Sequence, residues 1–494
     1  MQNGSLLAAV DLGSNSFRLE IGRLEHGQIR RTEYIKETVR QGSGLDASRN
    51  LTQEAMQRGW DCLARFAERL AGFRRSQVRA VATQTLREAR NRDAFLAQAH
   101  RTLGFPIDVI SGTEEARLIY QGVAHLLPQS DEQRLVVDIG GRSTELILGQ
   151  HVDANLMASY RVGSVAWSMR YFPQGALTHE AFDEAELAAQ AVLEEALDAY
   201  ERDRWEVAYG SSGTIGAVAD IVAAAGGPAG LITREDLDRL RAELVASGHV
   251  DKVRLPSLKD DRRPVIGGGL SVLRAVFDTL QIDSMQAAQG ALRHGVLYDM
   301  LDREQPVTDM RSTTVKRLCA KFDADAAQAA RVAAAACTLL RQLRHADDDQ
   351  VLARHERKLS WAAQLHEIGS TVSHSDYHKH GAYILDNTDA PGFAAHELHR
   401  LGQLVLGHRG KLRKLDIDFG DEPFVHQLAC IRLAVILCHA RRDPELRGLQ
   451  LSGGDRSMTL KLPAAWSAKH PQSAWLLREE AAAWQKTPWA FELG

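Results

Sequence analysis

The sequence predicts an α/β protein in which one structural plan runs twice, followed by a mostly helical region. Three observations predict it. Two strand–Asp–Gly turns recur 127 positions apart, at Asp11-Leu12-Gly13-Ser14-Asn15-Ser16 and Asp138-Ile139-Gly140-Gly141-Arg142-Ser143-Thr144. Each turn is flanked by apolar runs, at 6–10 and 17–21 for the first and at 135–137 and 145–148 for the second, so each reads as a hairpin. Beyond about residue 305 the pattern changes to the periodic Ala, Leu and Val of helices.

The elements follow in order. Strands are expected at 6–10, 78–83 and 107–110, alternating with helices at 52–71 and 92–102. The segment 127–131 (Leu-Pro-Gln-Ser-Asp) is a polar break. The plan then repeats, with strands near 135–148, a helix near 178–202, a strand at 207–209 and a Gly-Ser-Ser-Gly-Thr turn at 210–214. A Gly-Gly-Pro break stands at 226–228. Residues 311–440 read as helix, and the tail carries a strand pattern at 457–462 and tryptophans at 466, 475, 484 and 489. The expected domains are 1–124, 125–305, 306–444 and 445–494, the last a small capping domain.

Composition excludes several classes. With 494 residues, 44% hydrophobic and 25% charged, the chain has material for several cores. No apolar stretch approaches the roughly 18–20 residues of a membrane span. The first apolar run stops at Asp11 with no basic segment before it, unlike a secretory signal. The five cysteines are odd in number and form no CxxC, which fits buried thiols in a reduced cytoplasm. Charge is uneven. Residues 1–305 hold 35 Lys and Arg against 42 Asp and Glu, whereas residues 306–494 hold 25 against 22 and 12 of the 19 histidines. A polyanion would be drawn to the second part.

The turns carry the chemistry. A tight turn rich in glycine and hydroxyls bares N–H groups to phosphate oxygens. The preceding Asp can hold Mg²⁺ through water. Two such loops facing each other would grip a phosphoryl group from both sides. Ser111-Gly112-Thr113-Glu114-Glu115 follows a strand and opens a helix, where a carboxylate could serve as a general base for water. Arg87, after another strand, can fork onto phosphate. The turn 210–215 is a third anion-suited loop, and Asp261-Arg262-Arg263-Pro264 and the 290–295 segment, with Arg293, offer further contacts.

The order DLGSNSF, TLR, SGTEEA, DIGGRSTE, GSSGTI, DRR, GGG and GALRHGVLYDM resembles the exopolyphosphatase / guanosine pentaphosphate phosphohydrolase family. Trp361–Gly369 and the HGAYIL segment at 380–385 resemble its long members. The resemblance implies two ribonuclease-H-like (actin/hexokinase-like phosphotransferase) lobes, then an all-α HD-like domain and a small C-terminal α+β domain. It implies Glu115 as catalytic base, assisted by Glu145. It places Mg²⁺ at Asp138 and Glu145, and phosphate at Ser14, Asn15, Arg87, Gly141, Ser143, Ser211, Gly213, Thr214 and Arg262; Asp11 of the first turn is expected to serve the ion as well, and Arg142 the phosphate. Arg142 departs from the family loop, which has glycine there. Its side chain is expected to point to the phosphate cleft. The HD-like pattern is eroded, with His366-Glu367 and with Val435 where an aspartate belongs, so no metal is expected there. The expected activity is a processive, Mg²⁺-dependent exopolyphosphatase releasing orthophosphate from inorganic polyphosphate. The alternatives are hydrolysis of guanosine pentaphosphate in the stringent response, and a non-catalytic module sensing guanosine tetra- or pentaphosphate. A cytoplasmic homodimer with no nucleic-acid partner is expected.

Overall fold

The computed structural model describes residues 2–494 apart from 129, 304, 306 and 307. Gln129 of the expected polar break and residue 306, the expected start of the helical region, thus lie outside the described residues. The chain divides into two units, Met1–Thr308 and Asp309–Gly494.

The first unit holds two sheets of one plan. The first comprises β1 (Leu6–Leu12), β2 (Ser16–Glu25), β3 (Gln28–Thr38), β4 (Val78–Ala82) and β5 (Ile107–Val109), in the order β3-β2-β1-β4-β5. The second comprises β6 (Arg134–Ile139), β7 (Thr144–Gln150), β8 (Asp153–Tyr160), β9 (Val207–Ser211), β10 (Leu231–Thr233) and β11 (Ser284–Ala287), in the order β10-β11-β9-β6-β7-β8. Each sheet is an antiparallel three-strand meander whose first strand also pairs in parallel with a later one. The second adds β10 as an antiparallel edge.

Alternation along the strands decides what faces the space between the sheets. Ala8, Val10 and Leu12 of β1, with Phe17, Leu19 and Ile21 of β2, fill a core on the outer side of the first sheet. Leu135, Val137 and Ile139 of β6, with Leu146 and Leu148 of β7, do the same for the second. The opposite parity, Leu7, Ala9, Val136 and Ile147, enters a third core shared by both sheets. Asp11, Arg18, Asp138 and Glu145 have that same inner parity, and all four therefore face the region between the lobes.

Two helices, Gly112–Ala124 and Leu292–Asp302, contribute to the inner core. They approach closely because Gly295 has no side chain; a Cβ there would overlap the Leu118 carbonyl. Helix Leu292–Asp302 also packs on β1. The segment 125–305, expected as the second lobe, thus returns at its end to the first sheet.

The second unit is helical through six principal helices, from Met310–Lys321 to Glu422–Leu437, and ends in a sheet of β12 (Gln450–Gly454), β13 (Ser457–Lys461) and β14 (Ala490–Leu493). The expected boundary at 444/445 does not separate two cores. Val332, Leu339 and Ala434 of the helices share one apolar cluster with Leu451, Leu460, Trp484 and Phe491. A buried ion pair, Arg432–Glu480 at 2.6 Å, crosses the same boundary, and Trp484 Nε1 donates to Glu480. Trp466, Trp484 and Trp489 are buried, whereas Trp475 is exposed. Among the described residues no helix is long and apolar enough to cross a membrane.

Candidate active site

A cavity of about 370 Å³ opens in the first unit between the two hairpin turns. Of the residues singled out from sequence, Asp11, Ser14, Asn15, Glu115, Asp138, Gly141, Ser143, Gly213 and Arg262 line it. Arg87, Arg142, Glu145, Ser211 and Thr214 do not.

The repeated hairpins differ at one equivalent position. In β1–β2, Asp11 stands opposite Arg18, and the two form an ion pair at 3.0 Å. In β6–β7, Asp138 stands opposite Glu145. Like charges directly across a ladder destabilise a sheet. Here Glu145 is buried and Asp138 half-buried. Burial, then the neighbouring Glu115 and Asp138 carboxylates, push the Glu145 pKa well above the usual carboxylate range. Burial also raises Asp138, against the pull of the nearby Ser211 hydroxyl and of the Arg18 charge. Glu145 accepts from Ser159 Oγ at 2.7 Å through Oε1, while its buried Oε2 has no partner, and Asp11 Oδ1 is likewise unpartnered.

Glu114 and Glu115 are separated by their helix. Ser111 caps it, its Oγ accepting from the Glu114 amide at 3.1 Å. Glu115 enters the cavity and accepts from Arg87 Nη1 at 2.7 Å. Burial raises the Glu115 pKa, with Asp138 and Asp11 adding to the rise and Arg87 opposing it. Glu114 points the other way, into a buried network. It receives Arg117 Nε at 2.8 Å, and Arg117 also reaches Asp299 at 2.5 Å. Arg79 pairs with Asp299 as well.

Several expected phosphate contacts have other partners. Arg87 donates to Gln84, the Ile110 carbonyl and Glu115. Ser211 is fully buried and donates to Gly290 O at 3.0 Å. Thr214 is buried in the first turn of its helix, and the neighbouring Ser212 caps that helix, accepting from the Thr214 and Ile215 amides. Arg142 does not point into the cleft. Its Nε and Nη2 fork onto Glu88 Oε2 at 3.1 and 2.9 Å, and Nη1 donates to Gly42 O at 3.1 Å. The position is not among those with positive φ, so an arginine is accommodated without backbone strain.

The cavity also contains residues that the motifs did not single out: Arg18, Tyr34 and Lys36. Arg18 and Glu20 alternate with core residues in β2, a signal that the second face of this strand is not ordinary surface. Arg293, flagged from its segment, is lined up here too and pairs with Glu20 at 2.5 Å.

The donor set suits a hard cation. Asp11, Asp138, Glu115 and Glu145 offer only oxygen, two of those oxygens are orphaned, and Mg²⁺ prefers oxygen ligands with several waters retained. Among the described residues no three of His, Cys, Asp and Glu are grouped tightly enough to hold one ion by themselves. In the second unit, Glu367 is taken by Arg441 at 2.7 Å, and buried His366 engages the Ala363 carbonyl through Nδ1 at 2.7 Å.

Paired hairpin loops facing one cavity, with a helix-borne carboxylate beside them, define a phosphoryl-handling enzyme built on two ribonuclease-H-like lobes. Residues 21–304 match the Ppx/GppA phosphatase family, and residues 310–481 match domain III of that family. This chain belongs to the Ppx/GppA phosphatase family, and it is an enzyme that hydrolyses phosphoric anhydrides. It is 39% identical over 488 residues to a guanosine-5'-triphosphate,3'-diphosphate pyrophosphatase of Pseudoalteromonas translucida, covering 98% of this chain and 97% of the relative. A protein of the same name from Photobacterium profundum is 38% identical over 491 residues, 99% of this chain and 98% of the relative. The crystal structure of an exopolyphosphatase from Cytophaga hutchinsonii superposes with a TM-score of 0.55 at 24% identity, covering 60% of this chain and 98% of that one, a likeness of fold.

These relatives correct the expectation of a processive exopolyphosphatase. The proteins matched over nearly the full length are named for a guanosine nucleotide, not for polyphosphate. Part of the basic character at 378–380 and 408–414, in the part expected to draw a polyanion, has local surroundings of its own, while Lys411, Arg413 and Lys414 are exposed. Lys379 pairs with Asp376 at 2.9 Å, Arg409 lies over the Tyr377 ring, and His408 and Leu412 are buried.

Proposed function

We propose that this chain hydrolyses the terminal 5'-phosphate of guanosine 5'-triphosphate 3'-diphosphate (guanosine pentaphosphate), releasing orthophosphate and guanosine tetraphosphate, with Mg²⁺ as cofactor. The name shared by its full-length relatives supports the substrate. The observation that carries the chemistry is the corner where Asp138, opposed across the ladder by the buried Glu145, lines one cavity with Glu115.

The terminal phosphate lies between the loops of Ser14–Asn15 and Gly141–Ser143, whose N–H and hydroxyl groups replace its hydration. Bound Mg²⁺ supplies charge neutralisation on the phosphate oxygens. Asp138 and Glu145 would hold the ion through water, and their carboxylates orient the attacking water. Arg87 holds one oxygen of Glu115, leaving the other to accept the proton of the attacking water. The water oxygen bonds to phosphorus, the anhydride bond to the leaving phosphate breaks, and its electron pair stays on that phosphate. Catalysis of this kind is mostly positioning and electrostatics. The raised pKa of Glu115 brings it toward the working pH of a general base.

Phosphate release measured side by side from guanosine pentaphosphate and long-chain polyphosphate, both with Mg²⁺, tests the reading. The nucleotide should be the preferred substrate. Preference for polyphosphate would refute it.

A further inference from the structure

The cavity has a second, basic region. Asp11, Arg18 and Lys36 stand in one row across β1, β2 and β3, because Asp11 pairs with Arg18 and Arg18 with Lys36 in register. Arg18 and Lys36 are therefore like charges directly opposite, each offset by a single carboxylate, Asp11 for Arg18 and Asp261 for Lys36. Lys36 is held at 2.7 Å by Asp261 from the other side of the cavity. The next residue, Arg262, is only 9% exposed, and among the described residues no carboxylate pairs with it. Its guanidinium rests on the start of helix Gly213–Ala224, where a Cβ on Gly213 would overlap Nη2. A cation seated on a helix N-terminus adds positive charge to positive potential. Burial and the Arg18 charge lower the Arg262 pKa, and burial together with Arg262 lowers that of Lys36.

We propose that Arg18, Lys36 and Arg262 form a second anion subsite, which takes the 3'-diphosphate of the nucleotide while the hairpin loops hold the 5'-triphosphate. This rests on the substrate reading above. The row explains the division of labour. Lys36 lies two strand spacings from Asp11, roughly 10 Å. That is too far to serve the phosphate being cleaved and suits a separate phosphate group on the same molecule. Where the start of helix Gly213–Ala224 lines the cavity, Gly213, Gly216 and Ala217 carry only hydrogen or methyl side chains. That leaves room for the sugar. On binding, the 3'-diphosphate displaces Asp261 from Lys36 and adds to Arg262 a negative charge beyond that of the neighbouring Asp261. GTP, which lacks that group, leaves the subsite unfilled.

The test uses the full-length protein and Lys36→Gln, with Lys36→Arg as the charge-retaining control. The ratio of kcat/KM for guanosine pentaphosphate to that for GTP should fall about tenfold or more in Lys36→Gln, the loss expected of a hydrogen bond to a charged group. It should be largely restored in Lys36→Arg. In parallel, calorimetric titration should show wild type binding guanosine tetraphosphate more tightly than GDP, with that margin lost in Lys36→Gln. Equal losses on both nucleotides, or an unchanged tetraphosphate-to-GDP margin, overturn the subsite. If wild type binds the tetraphosphate with that margin yet does not cleave the pentaphosphate, the proposed activity fails while the subsite stands.

Discussion

Glu114 and Glu115 are neighbours in the chain with opposite surroundings, and substitution should separate them by kind of loss. Glu115→Gln keeps the fold and should lower kcat by ~10²–10⁴-fold, the usual weight of a general base. Glu114→Gln strands part of a buried ion network with Arg117, Arg79 and Asp299, and should show chiefly as lost stability, measurable in a thermal melt. Comparable kcat losses with unchanged melting in both variants would contradict this division. Because the Glu115 pKa is raised, the acid limb of kcat/KM should lie above the ordinary carboxylate range, with activity lost as pH falls through it. Glu115 and Glu145 titrate together, so the limb belongs to the pair.

Glu145 sets function against stability. Its folded pKa lies well above the unfolded value, so the folded state binds the extra proton. Stability is then undiminished below the unfolded pKa and falls as pH rises from there through the folded pKa. Glu145→Gln removes the like-charge opposition to Asp138. It should raise the Tm of the first unit by roughly 2–4 °C, the shift for about 1 kcal/mol. The gain should be larger at pH 8 than at pH 4, and hydrolysis should be lost. A lowered Tm at pH 8 would show that the opposed carboxylates are not a burden.

Among the elements, the 140–143 turn ties to the other lobe. Arg142 bridges it to Glu88 and Gly42, residues that follow β4 and β3 in the first sheet's lobe. A double-mutant cycle of Arg142→Gly and Glu88→Gln should give a coupling near 1 kcal/mol, the upper end for a partly exposed ion pair. Additive effects would mean that the fork is incidental.

The two turns were legible because each follows a continuous apolar run and precedes an alternating one, a local pattern of period two. The same parity placed Asp11, Asp138 and Glu145 together once both sheets were built. What was not legible came from pairing at a distance. β3 and β8 are largely exposed or half-buried strands of mixed polarity, so Lys36 sits in a stretch that reads as surface. Arg87, Arg142, Ser211 and Thr214 were in the right turns, but only the fold shows which face of a turn meets the cavity and which meets a carboxylate or carbonyl behind it.

At the scale of the molecule, the second unit is a single core whose last sheet closes a helical bundle. The uneven charge between the halves had pointed toward a polyanion there. The local partners of Lys379 and Arg409, and the burial of His408, account for those three residues as structure. The anion chemistry concentrates instead in the cavity of the first unit, where a carboxylate corner and a cation row share one space. A substrate with two phosphate groups at different distances from the base matches that division better than a uniform chain of phosphates does. The most direct measurement is the product identity from guanosine pentaphosphate with Mg²⁺, followed by anion-exchange chromatography through complete conversion. Guanosine tetraphosphate and orthophosphate in a one-to-one ratio, both abolished in Glu115→Gln, is the predicted result. Release of pyrophosphate with formation of GTP, or no conversion at all, would contradict it.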